Sequence, residues 1–166
     1  MKDIVVTGKL DIKTFFGISL FVFFKLRTII ILIIYFLFAE YLLVFDRKFD
    51  WSLEIVVLLA FVISYGGIIP LFVYMRAVKI SRSSAAFLET PVYTLNEEKI
   101  EVKAETVSGT NNWKYILKMI ERKEYFLLML SARTFYYLPK AGFESTAEIT
   151  RFKNLVNEKG IKMKYH

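Results

Sequence analysis

Cysteine is absent from this chain of 166 residues, and histidine occurs once, at the last position, His166. The lack of cysteine excludes disulfides, thiolate nucleophiles and thiolate metal ligands, and a terminal histidine is a poor candidate for catalysis or metal binding. The sequence also lacks HExxH, GxSxG, P-loop and GxGxxG motifs. Composition leaves a Ser-Lys arrangement open. We therefore predict a protein that is not an enzyme and that uses no metal or cofactor.

Hydrophobic residues make up 55% of the chain, which includes 16 Phe and 10 Tyr, more apolar side chain than a soluble core usually needs. The net charge is +7, and the basic excess follows the hydrophobic region: residues 76–166 carry sixteen Lys or Arg against ten Asp or Glu. A basic domain beside an apolar anchor suits an anionic membrane surface. No nucleic-acid recognition motif is present, so we predict membrane lipid as a partner and no nucleic acid.

Two long apolar runs lie in the first half of the chain. Residues 28–45 contain one charge, Glu40, and residues 55–75 contain none. Each run has about the length that a helix needs to cross ~30 Å of hydrocarbon. The connection between them, residues 46–52, is short and polar. The pattern predicts a hairpin of two antiparallel transmembrane helices.

Positive charges near the ends of these runs predict the orientation of the hairpin. The basic residues outside the hairpin loop are Lys9, Lys13, Lys25, Arg27, Arg76, Lys79 and Arg82, whereas the loop offers Arg47 and Lys48. Cytoplasmic loops carry the excess of Lys and Arg. We therefore expect a multi-pass protein of the cytoplasmic (inner) membrane with both termini in the cytoplasm, and no cleaved signal peptide.

The segments around the hairpin complete the expected domain organisation. Residues 1–27 would form an edge strand and an interfacial helix, residues 28–75 the hairpin, residues 76–90 a helical connector that Pro91 stops, and residues 91–166 a cytoplasmic β domain. The partners of the N-terminal strand would have to come from that β domain.

Strand patterns dominate the second half of the chain. The predicted strands are residues 92–95, 99–107, 113–121, 125–130 and 134–138, separated by hairpin-length connections. They predict an antiparallel meander of five strands, with the N-terminal strand as a possible sixth. A capping box, with Ser145 as N-cap and Glu148 three residues later, and Gly160 at the expected end predict a helix over residues 146–159 that closes the core.

The two spans, the residues 93–100 (YTLNEEKI), Trp113, the residues 136–143 (YYLPKAGF) and the capped helix together resemble the YcxB-like bacterial membrane proteins. This resemblance implies a C-terminal domain with a bacterial pleckstrin-homology (PH-like) fold, and it implies no catalytic residues. The expected fold class is therefore an α+β membrane protein, with a two-helix transmembrane hairpin and an antiparallel, PH-like β domain capped by a C-terminal helix.

Basic residues on consecutive strands and turns form one candidate surface for lipid headgroups or a partner. They are Lys114, Lys118, Arg122, Lys123, Arg133 and Lys140. A solvated rim beside the membrane is the commoner role of such residues, and Lys140 is the first to test because the resemblance points to the same place. Aromatic residues of these strands, such as Trp113 and Tyr137, are expected mainly in the core.

Two further sets lie in the predicted hairpin. Glu40 and Glu54 are intramembrane polar candidates, and interfacial or helix-pairing roles are favoured over transport because both are shallow. Ser64, Gly66, Gly67 and Pro70 would allow another helix to approach closely, within the hairpin or in a second copy of the chain.

The function expected from these features is a membrane-anchored interaction module, whose cytoplasmic β domain binds a protein partner or lipid headgroups. A sharper version is an accessory or immunity protein that recognises another membrane protein. The alternative is an oligomeric two-span channel or transporter component that uses Glu40 and Glu54.

Overall fold

The computed structural model describes residues 3–24, 26–45, 51–132 and 134–165. The chain divides into two compact units. One, which we call the β unit, consists of Met1–Asp11 together with Ser81–His166, and the other, the helical unit, is Ile12–Ile80. The first residues of the chain thus belong to the same unit as the last.

The helical unit exposes most of its apolar surface. Its elements are α1 (Ile12–Phe23), α2 (Leu26–Phe45), α3 (Trp51–Ile63) and α4 (Ile69–Ser81), with a π-helical turn, Ser64–Ile68, between the last two. Apolar side chains of the two apolar runs are exposed to a similar extent, for example Ile34 of the first run (61%) and Val56 of the second (60%). Exposed apolar surface on this scale marks contact with lipid or protein.

Among the described residues, one helix is by itself long and apolar enough to cross a membrane. It is Ile55–Ser81, with 27 residues, and none of its most apolar stretch is buried. The segment Ile12–Phe23 meets the same requirements only when it is joined to Thr28–Phe38 as one bent span. A hairpin of two spans stays a prediction, and its loop, residues 46–50, lies outside the described residues.

The π-helical turn has a cause in the sequence. Pro70 has no N–H, and its ring would clash with the carbonyl of Gly66 in a regular α-helix. The backbone instead widens by one residue, so that the Ile69 N–H donates to the Ser64 carbonyl, five residues back. Gly66 and Gly67 lie in this turn, are exposed, and have no atom within 4 Å of an added Cβ.

The β unit contains two four-stranded sheets. Sheet A is antiparallel, in the order β1 (Ile4–Thr7), β2 (Val92–Leu95), β3 (Lys99–Lys103), β4 (Ser108–Asn112). The N-terminal strand, which the sequence offered only as a possible further strand, pairs with the β domain, with Ile4 opposite Leu95 and Thr7 opposite Val92. Ile4 and Leu95 are both buried, because alternate residues of a strand face the same side.

Sheet B has the order β7 (Phe135–Pro139), β6 (Tyr125–Met129), β5 (Lys118–Glu121), β8 (Met163–Tyr165). Its first three strands are antiparallel, whereas β8 runs parallel to β5. Parallel pairing is possible here because a helix lies between β5 and β8 in the chain.

That helix, α6 (Thr146–Glu158), closes the core. The Ser145 side chain accepts the Glu148 N–H at 3.3 Å, while the Glu148 carboxylate accepts the N–H of Glu144. At the other end Gly160 has φ +67°, and the Ile161 N–H donates to the Val156 carbonyl, so the helix ends in a Schellman motif. The predicted helix of residues 146–159 and both of its end signals are confirmed.

Three phenylalanines from different elements meet beneath α6. Phe126 of β6, Phe143 and Phe152 of α6 have ring centroids between 5.2 and 6.0 Å apart, and Phe126 and Phe152 are fully buried. Burying a phenylalanine side chain stabilises a fold by about 1.5–3 kcal/mol. The core of the β unit therefore lies between the sheets and this helix.

Three details of the predicted meander are wrong. The strands form two sheets; residues 108–112, expected as a turn, form β4; and the strand expected to begin at Trp113 begins with a 3-10 helix, Trp113–Tyr115, so that β5 starts at Lys118. The short strand β8 was not predicted. β4 and β8 are mostly exposed, so they carry little of the apolar alternation by which strands are recognised.

Candidate interaction surfaces

The predicted basic surface separates into two groups. Lys114 and Lys118 lie just before and at the start of β5, whereas Arg122 and Lys123 follow its end. Lys140 joins the second group, because its N–H donates to the Glu124 carbonyl at 2.8 Å. At about 3.3 Å per residue, the strand holds the two groups about 13 Å apart. Arg133, the sixth predicted residue, lies outside the described residues.

Lys140 is held by an ion-pair cluster rather than extended into solvent. Its Nζ donates to Glu121 Oε1 at 2.7 Å, and Lys153 Nζ of α6 lies 2.8 Å from Glu121 Oε2. Both ammonium groups also lie near the ring of Phe126, at 4.9 and 5.9 Å from its centroid. The cluster joins the end of β5, the segment after β7 and α6. A binding role for Lys140 stays a prediction.

Glu121 stays ionised in this cluster. Its side chain is only 12% exposed, and this burial, the largest single influence, acts to raise its pKa. The hydrogen bonds and positive charges of Lys140 and Lys153 act in the opposite direction and together prevail, so the pKa of Glu121 lies below its ordinary value. Two lysines around one carboxylate leave one positive charge at this place.

Both covalent links to the helical unit leave the β unit at one end of sheet A. Thr7, the last residue of β1, pairs with Val92, the first residue of β2, and the Gly8 N–H donates to the Pro91 carbonyl at 3.3 Å. The chain leaves toward α1 after Thr7 and returns from α4 before Val92. We call this the connector end. Val92 also pairs with Lys103, so the turn between β3 and β4 lies here as well.

The returning segment is fixed to the connector end by hydrogen bonds. The Glu89 carboxylate accepts both the N–H and the hydroxyl of Thr106, in the turn between β3 and β4. Lys9 Nζ donates to the carbonyl of Leu88 at 3.3 Å. The bonds from the Thr106 side chain and backbone hold the pKa of Glu89 below its ordinary value. Hydrogen bonds thus join the link before α1 to the link after α4, and join the link after α4 to the turn between β3 and β4.

Two large apolar side chains are exposed beside these bonds. Leu88, at the end of the short helix α5 (Ala85–Leu88), is 60% exposed, and Val107 is 53% exposed. Lys103, which is opposite Val92 at this end of sheet A, is also exposed. Sequence reasoning missed these residues, because a single exposed Leu or Val has no signature without the pairing that places it.

The second group of basic residues lies close to the connector end. A Cβ atom built on Gly8 would lie 2.1 Å from Pro139 Cγ, and Val6 forms a bridge with Phe143. The segment that carries Lys140 therefore packs against the end of β1. Arg122 and Lys123 are in the turn beside Lys140, so they extend the same end of the unit.

The opposite end, which we call the far end, carries a different surface. Trp113 is buried, and its Nε1 donates to the Asn96 carbonyl at 2.7 Å, which fixes the 3-10 helix to the turn between β2 and β3. Beyond it Tyr115 and Leu117 are 55% and 62% exposed, and Lys114 Nζ lies 5.0 Å from the Tyr115 ring centroid. An open groove of about 470 Å³ lies beside Lys114, lined also by Glu97, Glu98, Asn112, Trp113 and Lys159.

The aromatic residues of the β unit are mostly core, as predicted. Phe126 and Tyr137 are buried with Trp113, and Tyr125 and Tyr136 are half-buried. Tyr115 is the exception among those considered.

The predicted sites of the hairpin are only partly described. Glu40 is half-buried in α2, whereas the side chain of Glu54, in α3, lies outside the described residues. Ser64, Gly66 and Gly67 fall in the π-helical turn, and Pro70 follows it. In the part of the chain that the structure describes, no three His, Cys, Asp or Glu side chains come together as metal ligands.

Comparison with known proteins finds sequence similarity over part of the β unit. The family profile described as YcxB-like protein matches residues 95–156, which run from the end of β2 into the last turns of α6. The "Uncharacterized protein YcxB" of Bacillus subtilis (strain 168) is 27% identical over 97 residues, which are 57% of this chain and 52% of that protein. The chain thus spans about half the length of the curated relative that it matches, and no solved structure matches it. The part of the chain that these matches cover is thus similar to the YcxB-like family.

Proposed function

We propose that this protein is a membrane-anchored interaction module of the cytoplasmic membrane. The helical unit crosses the bilayer as a hairpin of two spans, with both termini in the cytoplasm, and the β unit binds a protein partner or lipid headgroups. The unit described as PH-like by resemblance is the binding part, and the helices are the anchor.

The pairing of β1 with β2 is the observation that carries this proposal. β1 precedes all four helices and β2 follows them, yet the two strands share a ladder from Ile4 opposite Leu95 to Thr7 opposite Val92. Strands that pair must lie on the same side of a membrane. The chain between them therefore crosses an even number of times. Because Ile55–Ser81 has the length of one crossing, the ladder favours a second crossing upstream.

The apolar surface of the helices supports a lipid environment. Leu37, Phe38, Val62 and Phe72 are each more than half exposed, as are several neighbours on both apolar runs. Water would strongly disfavour such a surface, whereas hydrocarbon accepts it without cost.

The far end supports the binding role. Lys114, Tyr115 and Leu117 combine a cation, an aromatic ring and an aliphatic side chain on one exposed turn that a buried tryptophan fixes. Tyrosine is enriched at binding surfaces because its ring buries a large area and its hydroxyl keeps a hydrogen bond. This turn is the part of the β unit that we assign to a protein partner, either another membrane protein or a second copy of the chain.

Two measurements on cell membranes test the anchor. The protein should stay in the membrane pellet after alkaline carbonate. Single cysteines in this cysteine-free chain should react with an impermeant maleimide from outside the cell at Lys48→Cys, and only after lysis at Asn157→Cys. Release by carbonate, or reaction of both sites from the same side, would contradict the anchor.

A photo-crosslinking residue tests the binding surface. At position 115 in living cells it should give a discrete adduct with another protein or a second copy, while the same residue at exposed Thr146, the first residue of α6, should not. If adducts form equally at both positions, or at neither, the far end is not the binding surface.

Substitution of two glutamates distinguishes the alternative function, a channel or transporter component, from the tether. Replacing Glu40 and Glu54 by glutamine should abolish conductance if they line a pore, whereas a tether should keep its adduct at position 115.

A further inference from the structure

The connector end combines exposed apolar side chains with several basic side chains next to the links to the helices. Leu88 and Val107 are exposed there, and the hydrogen bonds from Thr106 to Glu89 join the two segments that carry them. Lys9, which bonds the Leu88 carbonyl, and Lys103 flank them.

Charge at this end is positive because its basic side chains outnumber its carboxylates. Glu89 accepts two hydrogen bonds from Thr106, and Glu121 is paired with Lys140 and Lys153. The other basic side chains at this end are Lys9, Lys103, Arg122 and Lys123, and the other carboxylates are Glu105 and Glu124.

The covalent links limit how far this end can be from the helices. Four residues separate Thr7 from Ile12, and ten separate Ser81 from Val92. At no more than about 3.6 Å per residue, the shorter link spans at most roughly 18 Å. Any bilayer that holds the helices is therefore within reach of the connector end.

We infer that the connector end of the β unit rests on the anionic lipid surface around its own helices, with Leu88 and Val107 at the interface and Lys9, Lys103 and Lys123 against phosphate groups. This inference rests on the proposed membrane anchor. Short apolar side chains enter the headgroup boundary while lysines meet anionic phosphates. Each lysine removed weakens attraction to an anionic surface by about fivefold.

The absence of cysteine makes a direct test possible. Val107→Cys and Tyr115→Cys place one thiol at each end of the β unit, at positions of similar exposure, 53% and 55%. Each full-length variant is labelled with an environment-sensitive dye and reconstituted in nanodiscs of phosphatidylcholine, with or without phosphatidylglycerol. The emission of the dye at position 107 should shift to the blue, and the shift should be larger with phosphatidylglycerol. The emission of the dye at position 115 should stay at the wavelength typical of water in both kinds of nanodisc.

Removing charge provides the second arm. Lys103→Gln with Lys123→Gln, in the Val107→Cys background, should reduce the shift in anionic nanodiscs and leave it unchanged in neutral ones. The emission of Trp113, measured in a Trp51→Phe background, checks that the β unit remains folded.

Three results would overturn the inference: a dye at position 107 that reports water in every lipid, a shift at position 115 instead, or a shift at position 107 that needs native membrane proteins, which would assign this end to a protein partner. Failure of the anchor is seen separately, because a protein that does not insert would be released by carbonate. A protein that resists carbonate but keeps position 107 in water contradicts this inference alone.

Discussion

Gly142 lies directly against the backbone of Thr7, so that a Cβ atom at position 142 would be 1.8 Å from the Thr7 carbonyl oxygen. The contact joins the segment after β7 to the last residue of β1. It brings the end of the N-terminal strand against the segment that follows sheet B. The added atom would meet backbone, which cannot rotate away as a side chain can.

Gly142→Ala should therefore destabilise the β unit. We expect a loss of about 3 kcal/mol in the free energy of unfolding, because β1 or the segment after β7 must move. Unfolding by guanidinium in detergent, followed by Trp113 emission in a Trp51→Phe background, measures it. Gly109→Ala is the matched control, since no atom lies within 4 Å of a Cβ there. Equal effects of the two changes would show that the contact does not matter.

Glu121→Gln should cost about 2 kcal/mol of stability. The change leaves Lys140 and Lys153 without their shared carboxylate in a partly buried place, and losing one partner of a buried ion pair costs more than the pair contributes. The more exposed pair of Lys99 and Glu101 supplies the comparison, and Glu101→Gln should change little. The same unfolding assay applies. A neutral Glu121→Gln would mean that the cluster is dispensable for the fold.

Acid should weaken the same cluster. Because the folded pKa of Glu121 is lowered, its contribution to stability is fully present above the ordinary carboxyl pKa and is lost as the pH falls through the lower, folded value. Between about pH 6 and about pH 3, the wild-type protein should lose more unfolding free energy than Glu121→Gln does. Parallel curves for the two proteins would contradict a lowered pKa.

Ser145→Ala should destabilise the β unit by about 1 kcal/mol, because the N–H of Glu148 loses its side-chain acceptor at the start of α6. Ser145→Asp should restore most of the loss, since aspartate is also a good N-cap. The comparison uses the midpoint of thermal unfolding in detergent. If aspartate fails to rescue, the serine contributes through some contact other than its cap.

The parts of the fold that sequence predicted are those with a local signal. The helix over residues 146–159 has a cap, an apolar face and a terminal glycine, and the structure places α6 at Thr146–Glu158. β2 and β6 combine buried positions with hairpin connections and were found within one residue. β4 has the sequence SGTNN, which reads as a turn; it is a strand because β3 provides a partner along its length. The division into two sheets depends on such long-range pairing.

The candidate surfaces show the same limit. Charge alone grouped Lys114 with Lys140, yet β5 separates them. Glu121, which forms an ion pair with Lys140, was also not among the residues considered. A search for carboxylates on the neighbouring predicted strands could have suggested Glu121 as the partner of Lys140. Leu88 and Val107 can be recognised as parts of one surface only from the bonds between Glu89 and Thr106, which join distant parts of the chain.

The ladder between β1 and β2 also orders events during synthesis. β1 leaves the ribosome first, but its partner is made only after the helices α1 to α4, so in a membrane-anchored protein the first strand must wait while the hydrophobic segments are inserted. A chain whose helices insert wrongly would leave β1 on the other side of the membrane and β2 with an open edge. Completion of the sheet thus reports correct insertion, and a misassembled copy would present an unfolded domain to the cell's proteases.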